Sequence, residues 1–270
     1  MKEALKAITP PVVWNFARKF AGKKPTDHAQ RHALSLAQDD VFSVRFKQVE
    51  FNDNAYFVPA YASERPAAKA IASGELYEPA THVLVRKLLE DRPGSMVHAG
   101  TFFGDMVPTF AKACPKTLYA FEPVLENYVL AKLGVEANGL DNVVLTNAGL
   151  GTEIKPARID TGGEDGVHRG GSSRIAQAGQ ATALTKIDAL GLDDLSLLQL
   201  DVEGFEAHAL AGAAETVTRC SPVILVEDND NTCRPFFDEA GYVSCGTIPG
   251  IKVWSKPADK DRVTKIVSAL

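Results

Sequence analysis

Hydrophobic positions along the chain follow several distinct rhythms. Between residues 10 and 24, Val13, Phe16, Ala17 and Phe20 recur at helical spacing, with Pro10-Pro11 at the start and Arg18, Lys19, Lys23 and Lys24 beside or beyond them. Residues 41–60 alternate apolar and polar around Asn52-Asp53-Asn54, which predicts a β-hairpin. SERPAAKAIASG and ELYEPATHVLVRKLLEDRPG return to helical spacing, and Pro93-Gly94 ends the second. From Ser95 the rhythm changes. MVHAG, KTLYAFEP, NVVLTNAGL, LSLLQLDVEG and PVILVEDN read as strands, with the helices DMVPTFAKAC, LENYVLAKLGVEANG and FEAHALAGAAETVTRC between them. Such alternation builds an α/β fold with a mostly parallel sheet and helices on both faces. VSCGTIPG and KVWSK predict an antiparallel hairpin at the sheet edge. Residues 152–181, with TGGEDGVHRGGSSRIAQAG, interrupt the rhythm and predict a polar loop over the strand ends, either plain surface or a substrate lid. The chain thus divides into an N-terminal helical and β-hairpin extension (1–75) and an α/β domain (76–270).

Composition narrows the function. The 45% hydrophobic content of 270 residues can bury a sizeable core. A net charge of −5 and a pI near 5.7 argue against nucleic acid as a partner, since phosphates need a basic face. Cys114, Cys220, Cys233 and Cys245 lack metal or redox spacing, as expected of reduced thiols in a cytoplasmic protein. Glu3 and Pro10-Pro11 argue against an export signal, and no run approaches the roughly 20 apolar residues of a membrane span. The helix expected at 10–24 is read as docking on its own protein or on a partner subunit, which leaves a homo-oligomer open. Contact with an anionic membrane surface is its alternative.

The turn after MVHAG carries Gly100 and Gly104. Gly100 lets the chain turn sharply, and Gly104 lets backbone approach a ligand or the sheet. The spacing is not Gly-x-Gly-x-x-Gly and lacks the third glycine of a pyrophosphate site, which counts against an NAD-dependent oxidoreductase. Glu122 lies about 20 residues further on, where an acid accepts hydrogen bonds from ribose hydroxyls. Asp105 and Glu122 suit a positively charged nucleoside without phosphates, such as S-adenosylmethionine. Phe102 and Phe103 either line the adenosine pocket or pack in the core.

VHAGTFFGD, YAFEPVLENY and LLQLDVEGFEAHALAGA, between about Ser95 and about Ser255, resemble the FkbM family of S-adenosylmethionine-dependent methyltransferases. GGSSRIA is similar to that family's Ser-rich insertion and PVILVE to its next strand. The resemblance implies a Rossmann-like methyltransferase fold with a seven-stranded sheet, and methyl transfer, often to oxygen, on sugars and secondary metabolites. It places His98, Gly100, Thr101, Gly104, Asp105, Glu122 and Asn147 at the cofactor. The chain departs from the family pattern at His98, where an aspartate is usual, and at Gly100-Thr101-Phe102, where Gly-Ala-Asn is usual.

Methyl transfer to a sugar hydroxyl needs an aligned nucleophile, a base or metal, and exclusion of water. Asp201 follows the apolar run Leu195–Leu200, at the end of a buried strand, where a carboxyl with raised pKa can serve as base. A helix N-cap is the alternative for Asp201, and complementing the helix dipole is the alternative for Glu203. Glu227, Asp228 and Asn229 end the next strand, which is expected to neighbour the first. Asp201, Asp228 and Asn229 would resemble the magnesium site of catechol-type methyltransferases, whereas Glu227 would hold substrate or act as base without metal. In the polar insertion, His168 is a candidate mobile base, and Arg169 or Arg174 a candidate for binding an acidic sugar or phosphate. His28, His32, His82 and His208 have no partner spacing and read as structural. The expected function is O-methylation of a small-molecule or glycan precursor, with a non-catalytic binding protein of the same fold as the alternative that His98 favours.

Overall fold

The computed structural model describes residues 30–35, 41–162 and 168–270; the helix expected at 10–24 and His28 lie outside them. The described chain begins with three antiparallel strands, β1 (Gln30–Ser35), β2 (Val41–Phe51) and β3 (Asn54–Pro59). Asn52 and Asp53 turn the expected hairpin with φ of 48° and 55°. Such left-handed pairs match strand twist in a two-residue turn, and Asn and Asp tolerate them. Helices α1 (Pro66–Ala72) and α2 (Pro79–Asp91) follow, each opened by a proline that suits a first turn.

The α/β part begins with β4 (Ser95–Ala99), α3 (Val107–Ala113), β5 (Leu118–Phe121), α4 (Leu125–Ala137) and β6 (Val143–Thr146). Next come β7 (Gly149–Leu150), β8 (Lys155–Asp160), β9 (Arg174–Ala176), β10 (Gln180–Thr185) and β11 (Leu195–Leu200). The chain closes with α5 (Glu206–Ala211), α6 (Ala214–Cys220), β12 (Val223–Val226), α7 (Arg234–Glu239), β13 (Val243–Ile248), β14 (Ile251–Ser255) and α8 (Lys260–Val267). Seven strands form one sheet in the order β13-β14-β12-β11-β4-β5-β6. The five strands from β12 to β6 run parallel, and β13 and β14 close the other edge as an antiparallel hairpin, as the sequence predicts. The strand order steps away from β4 in both directions. That makes the carboxyl ends of β4 and β11 a switch point, where open sheets of this kind bind ligands.

Every residue of β4, β11 and β12 is buried, because helices cover both faces. Met96, Phe110, Leu197 and Leu225 pack on one side, and Val97, Leu198, Ile224 and Phe237 on the other. A third cluster joins Phe46, Phe57 and Ile71 of the N-terminal elements to Phe102, Phe103 and Leu130. The loop after β4 is therefore seated on the extension as well as on the sheet.

One expectation needs correction. Much of the described insertion is sheet rather than loop: β8, β9 and β10 join β7 in a four-stranded sheet of order β7-β10-β8-β9. Ile159 and Leu184, with Leu150 of β7, are its deeply buried anchors, so most positions of the insertion stay polar and the strand pattern is hidden. β12 lies beside β11, the strand that leads into Asp201, as expected.

Candidate active site

Two cavities meet over the switch point and share Gly100, Gly171, Asp201 and Glu203 as a common wall. One, with about 470 Å³ of empty space, is lined largely by apolar groups, including Phe121, Leu150, Ile159, Ile175 and Phe205, together with Glu122. The other, about 610 Å³, is polar and lined by Arg65, Tyr77, His98, Asp105, Gln199 and Ser172 among others.

The glycines of the loop answer to packing. Gly100 has φ of 92°, and a Cβ there would lie 1.8 Å from the Asp201 carbonyl oxygen. The Asp201 N–H donates to the Ala99 carbonyl at 3.1 Å, so β4 and β11 stay in contact past their ladder. Gly104 has φ of 84°, and a Cβ there would lie 3.1 Å from the Ala131 Cα of α4. Its close approach is to a helix rather than to a ligand or the sheet, and it lines neither cavity. Thr101 donates its N–H to the Phe121 carbonyl at 3.3 Å and also lines neither cavity. Phe102 and Phe103 are both core residues, with rings edge-on at 4.8 Å, and Phe102 additionally walls the polar cavity.

Glu122 is buried and engaged on both oxygens. Oε2 accepts the Phe102 N–H at 2.7 Å, and Oε1 accepts the Val124 N–H at 2.8 Å and the Asn127 amide at 3.2 Å. Burial pushes its pKa up to about 8 against the pull of those donors. Asn147 donates to the Glu122 carbonyl at 2.8 Å and lines neither cavity, so it holds backbone rather than facing the crevice.

The candidate base of the polar insertion is a fastener. The His168 ring lies 4.6 Å from Tyr61, its Nδ1 accepts the Gly170 N–H at 2.9 Å, and its carbonyl accepts from Arg65 at 3.3 Å. Asn127 ties this strap to the site, accepting from the Tyr61 hydroxyl at 2.7 Å and donating to the Gly170 carbonyl at 3.4 Å. Arg169 pairs with Asp160 at 3.3 Å and Arg174 with Glu203 at 3.7 Å.

The carboxyl groups gather at the tips of β11 and β12. Burial first, then the hydrogen-bonded Glu227 and the charges of Glu203 and Glu78, hold Asp201 well above the usual carboxylate range. Asp201 does not cap α5, whose N-cap Phe205 brings no side-chain hydrogen bond; Glu206 instead fixes the turn before the helix, accepting the Val202 and Gly204 N–H groups at 3.0 and 3.2 Å. Glu78 and Glu203 adopt left-handed backbone, with φ of 49° and 55°. Asp105 walls the polar cavity, and burial pushes it up to about 7. His98 is 1% exposed; its Nδ1 meets Gln199 Oε1, its Nε2 has no partner, and burial pulls it down to about 4.

The Methyltransferase FkbM domain matches residues 98–243, over half of the chain. The chain belongs to the FkbM methyltransferase family. It is similar to a solved FkbM methyltransferase from Methylobacillus flagellatus KT, at 14% identity over 60% of this chain and 43% of that one, with a TM-score of 0.45. It thus spans less than half the length of that relative. A methyltransferase from Geobacter sulfurreducens is similar at 16% identity over 67% and 80% of the two chains, with a TM-score of 0.41. An O-methyltransferase from Bacillus cereus, solved with S-adenosylhomocysteine, is similar at 11% identity over 68% and 84%, with a TM-score of 0.40. Among proteins of curated function, none matches.

FkbM membership implies methyl transfer from S-adenosylmethionine, and the donor set fits that cofactor. An apolar slot with a buried carboxylate suits a nucleoside, and the adjoining cavity offers acids and an unpartnered imidazole nitrogen to a cation. The magnesium alternative is not assembled. Asp228 Oδ1 accepts the Thr232 N–H, the Thr232 hydroxyl and the Cys233 N–H, and Lys252 lies 3.6 Å from its other oxygen. Asn229 donates to Glu227 at 3.1 Å. Among the described residues, no group of three His, Cys, Asp or Glu side chains is arranged for a metal. The sequence reading missed Tyr77, Glu78, Asn127 and Gln199. Only Asn127 and Gln199 left a signal, as polar residues at apolar positions of a helix and a strand.

Proposed function

We propose that the chain methylates an acceptor oxygen, a sugar hydroxyl on a glycan or secondary-metabolite precursor, with Asp201 as general base. The observation that carries this reading is the position of Asp201. It ends a buried strand, forms wall in both cavities, and has its proton affinity raised by burial and by Glu227. A base with affinity shifted toward neutral pH serves proton transfer best, and a cation bound beside it favours its ionised form. S-adenosylmethionine, when bound, supplies an electrophilic methyl group that the acceptor oxygen takes as the S–CH3 bond breaks, leaving a neutral thioether.

The remaining work belongs to the chain. Glu122 orients the nucleoside and Gly100 lets the tips of β4 and β11 meet at Asp201. Asp201 takes the hydroxyl proton as the O–CH3 bond forms, while Glu227 holds the carboxyl by a hydrogen bond and the charge of Glu203 raises its proton affinity. The strap over Phe102 keeps water from the shared wall. The test is a methyl-transfer assay over a panel of sugars and glycan precursors. Asp201→Asn should lower turnover at least about a hundredfold and keep S-adenosylhomocysteine binding. Full activity in that variant overturns the assignment, and insensitivity to EDTA is expected. His98 in place of an acid favours a second reading, a binding protein without turnover. Cofactor binding with no transfer to any acceptor would select it.

A further inference from the structure

His98 and Gln199 face each other in the register of β4 and β11, and His98 Nδ1 meets Gln199 Oε1. A carboxamide oxygen only accepts, so Nδ1 carries the ring proton and Nε2 of the neutral imidazole is a bare acceptor. That nitrogen is buried without a partner in a residue lining the polar cavity. Phe110 meets the ring edge-on at 5.1 Å and 83°, which holds it in place. His82, the nearest titratable group on α2, is committed to Thr109 and the Tyr77 carbonyl. Asp105, Asp201 and Glu203 line the same cavity against Arg65, the single cation among the described lining residues, so a positive donor is favoured there.

We propose that Gln199 is a positioning residue, fixing His98 so that Nε2 accepts a hydrogen bond from the α-ammonium of the cofactor's amino-acid end. The inference rests on the S-adenosylmethionine reading above. A neutral imidazole attracts an ammonium less strongly at a distance than a carboxylate does, so its direction and tautomer carry more of the recognition.

The test is calorimetry on the full chain with S-adenosylhomocysteine and with 5′-methylthioadenosine, which lacks the amino-acid end. Wild type should prefer S-adenosylhomocysteine. Gln199→Leu should weaken that ligand by about tenfold and leave methylthioadenosine unchanged. Gln199→Glu, which still offers an acceptor to Nδ1–H, should keep the preference. Histidine ¹⁵N spectra of the wild type should show His98 Nε2 unprotonated and shifting with S-adenosylhomocysteine alone, which decides the tautomer even where a variant does not fold. Equal loss of both ligands, no loss in Gln199→Leu, or a protonated Nε2 would each overturn the proposal. Failure of both ligands to bind wild type defeats the methyltransferase reading itself. Methylthioadenosine binding as tightly as S-adenosylhomocysteine defeats this inference alone.

Discussion

Glu122 spends acceptor capacity on three N–H donors, two of them backbone, so it organises the loop after β4 and the start of α4 together. A glutamine there keeps the volume and one acceptor oxygen but places an NH2 against an N–H. Glu122→Gln should therefore weaken S-adenosylhomocysteine and methylthioadenosine alike, by about tenfold, or roughly 1.4 kcal/mol. Calorimetry checks this, and an unchanged methylthioadenosine affinity would remove Glu122 from the nucleoside. Glu122 and Asp201 were legible because spacing from a glycine turn and the end of an apolar run are local signals. The partners of Gln199 and Asn127 were not: Gln199 lies 101 residues from His98, and Asn127 lies 66 from Tyr61 and 43 from Gly170. Pairings of that span appear only once register and packing are known.

At the scale of elements, the approach of β4 to β11 leaves no room beyond a hydrogen atom at Gly100. Gly100→Ala combines a backbone clash with left-handed backbone and should cost about 3 kcal/mol or more. Gly139 is the control: its φ is 61° with nothing within 4 Å, so Gly139→Ala should cost about 1 kcal/mol. Urea unfolding of the two variants checks this, and equal losses would mean that the β4–β11 contact yields. The parallel strands were readable because strands covered on both faces need continuous apolar runs. The small sheet of β8, β9 and β10 was not, because few of its side chains are deeply buried.

Across the whole molecule, buried acids set the pH response. Asp105 and Glu122 have folded pKa values raised to about 7 and 8 from 3.8 and 4.5. Their stabilising effect is complete below the lower values and is lost as pH rises through the higher ones. His98, lowered from 6.5 to about 4, acts in the opposite sense, adding stability as pH rises between those values. Above pH 6.5 the acids decide, so the melting temperature of the ligand-free protein should fall between pH 6.5 and 8. The loss should be about 1–2 kcal/mol and smaller in Glu122→Gln; a flat or rising wild-type profile in thermal scans would contradict it. The role of the extension was invisible in sequence, since Tyr61 and Arg65 reach the strap across 66 to 103 residues by way of Asn127 and His168. One further property follows from the backbone of Glu78, Phe102 and Glu203, non-glycine residues with φ between 49° and 55°. All three border the crevice or act on Asp201. Left-handed residues of this kind cost about 1–3 kcal/mol each. Glu78→Gly and Glu203→Gly should raise the melting temperature while turnover falls. Laboratory evolution toward heat tolerance, with no demand for activity, would find its easiest gains in the crevice and trade the catalyst for a sturdier shell.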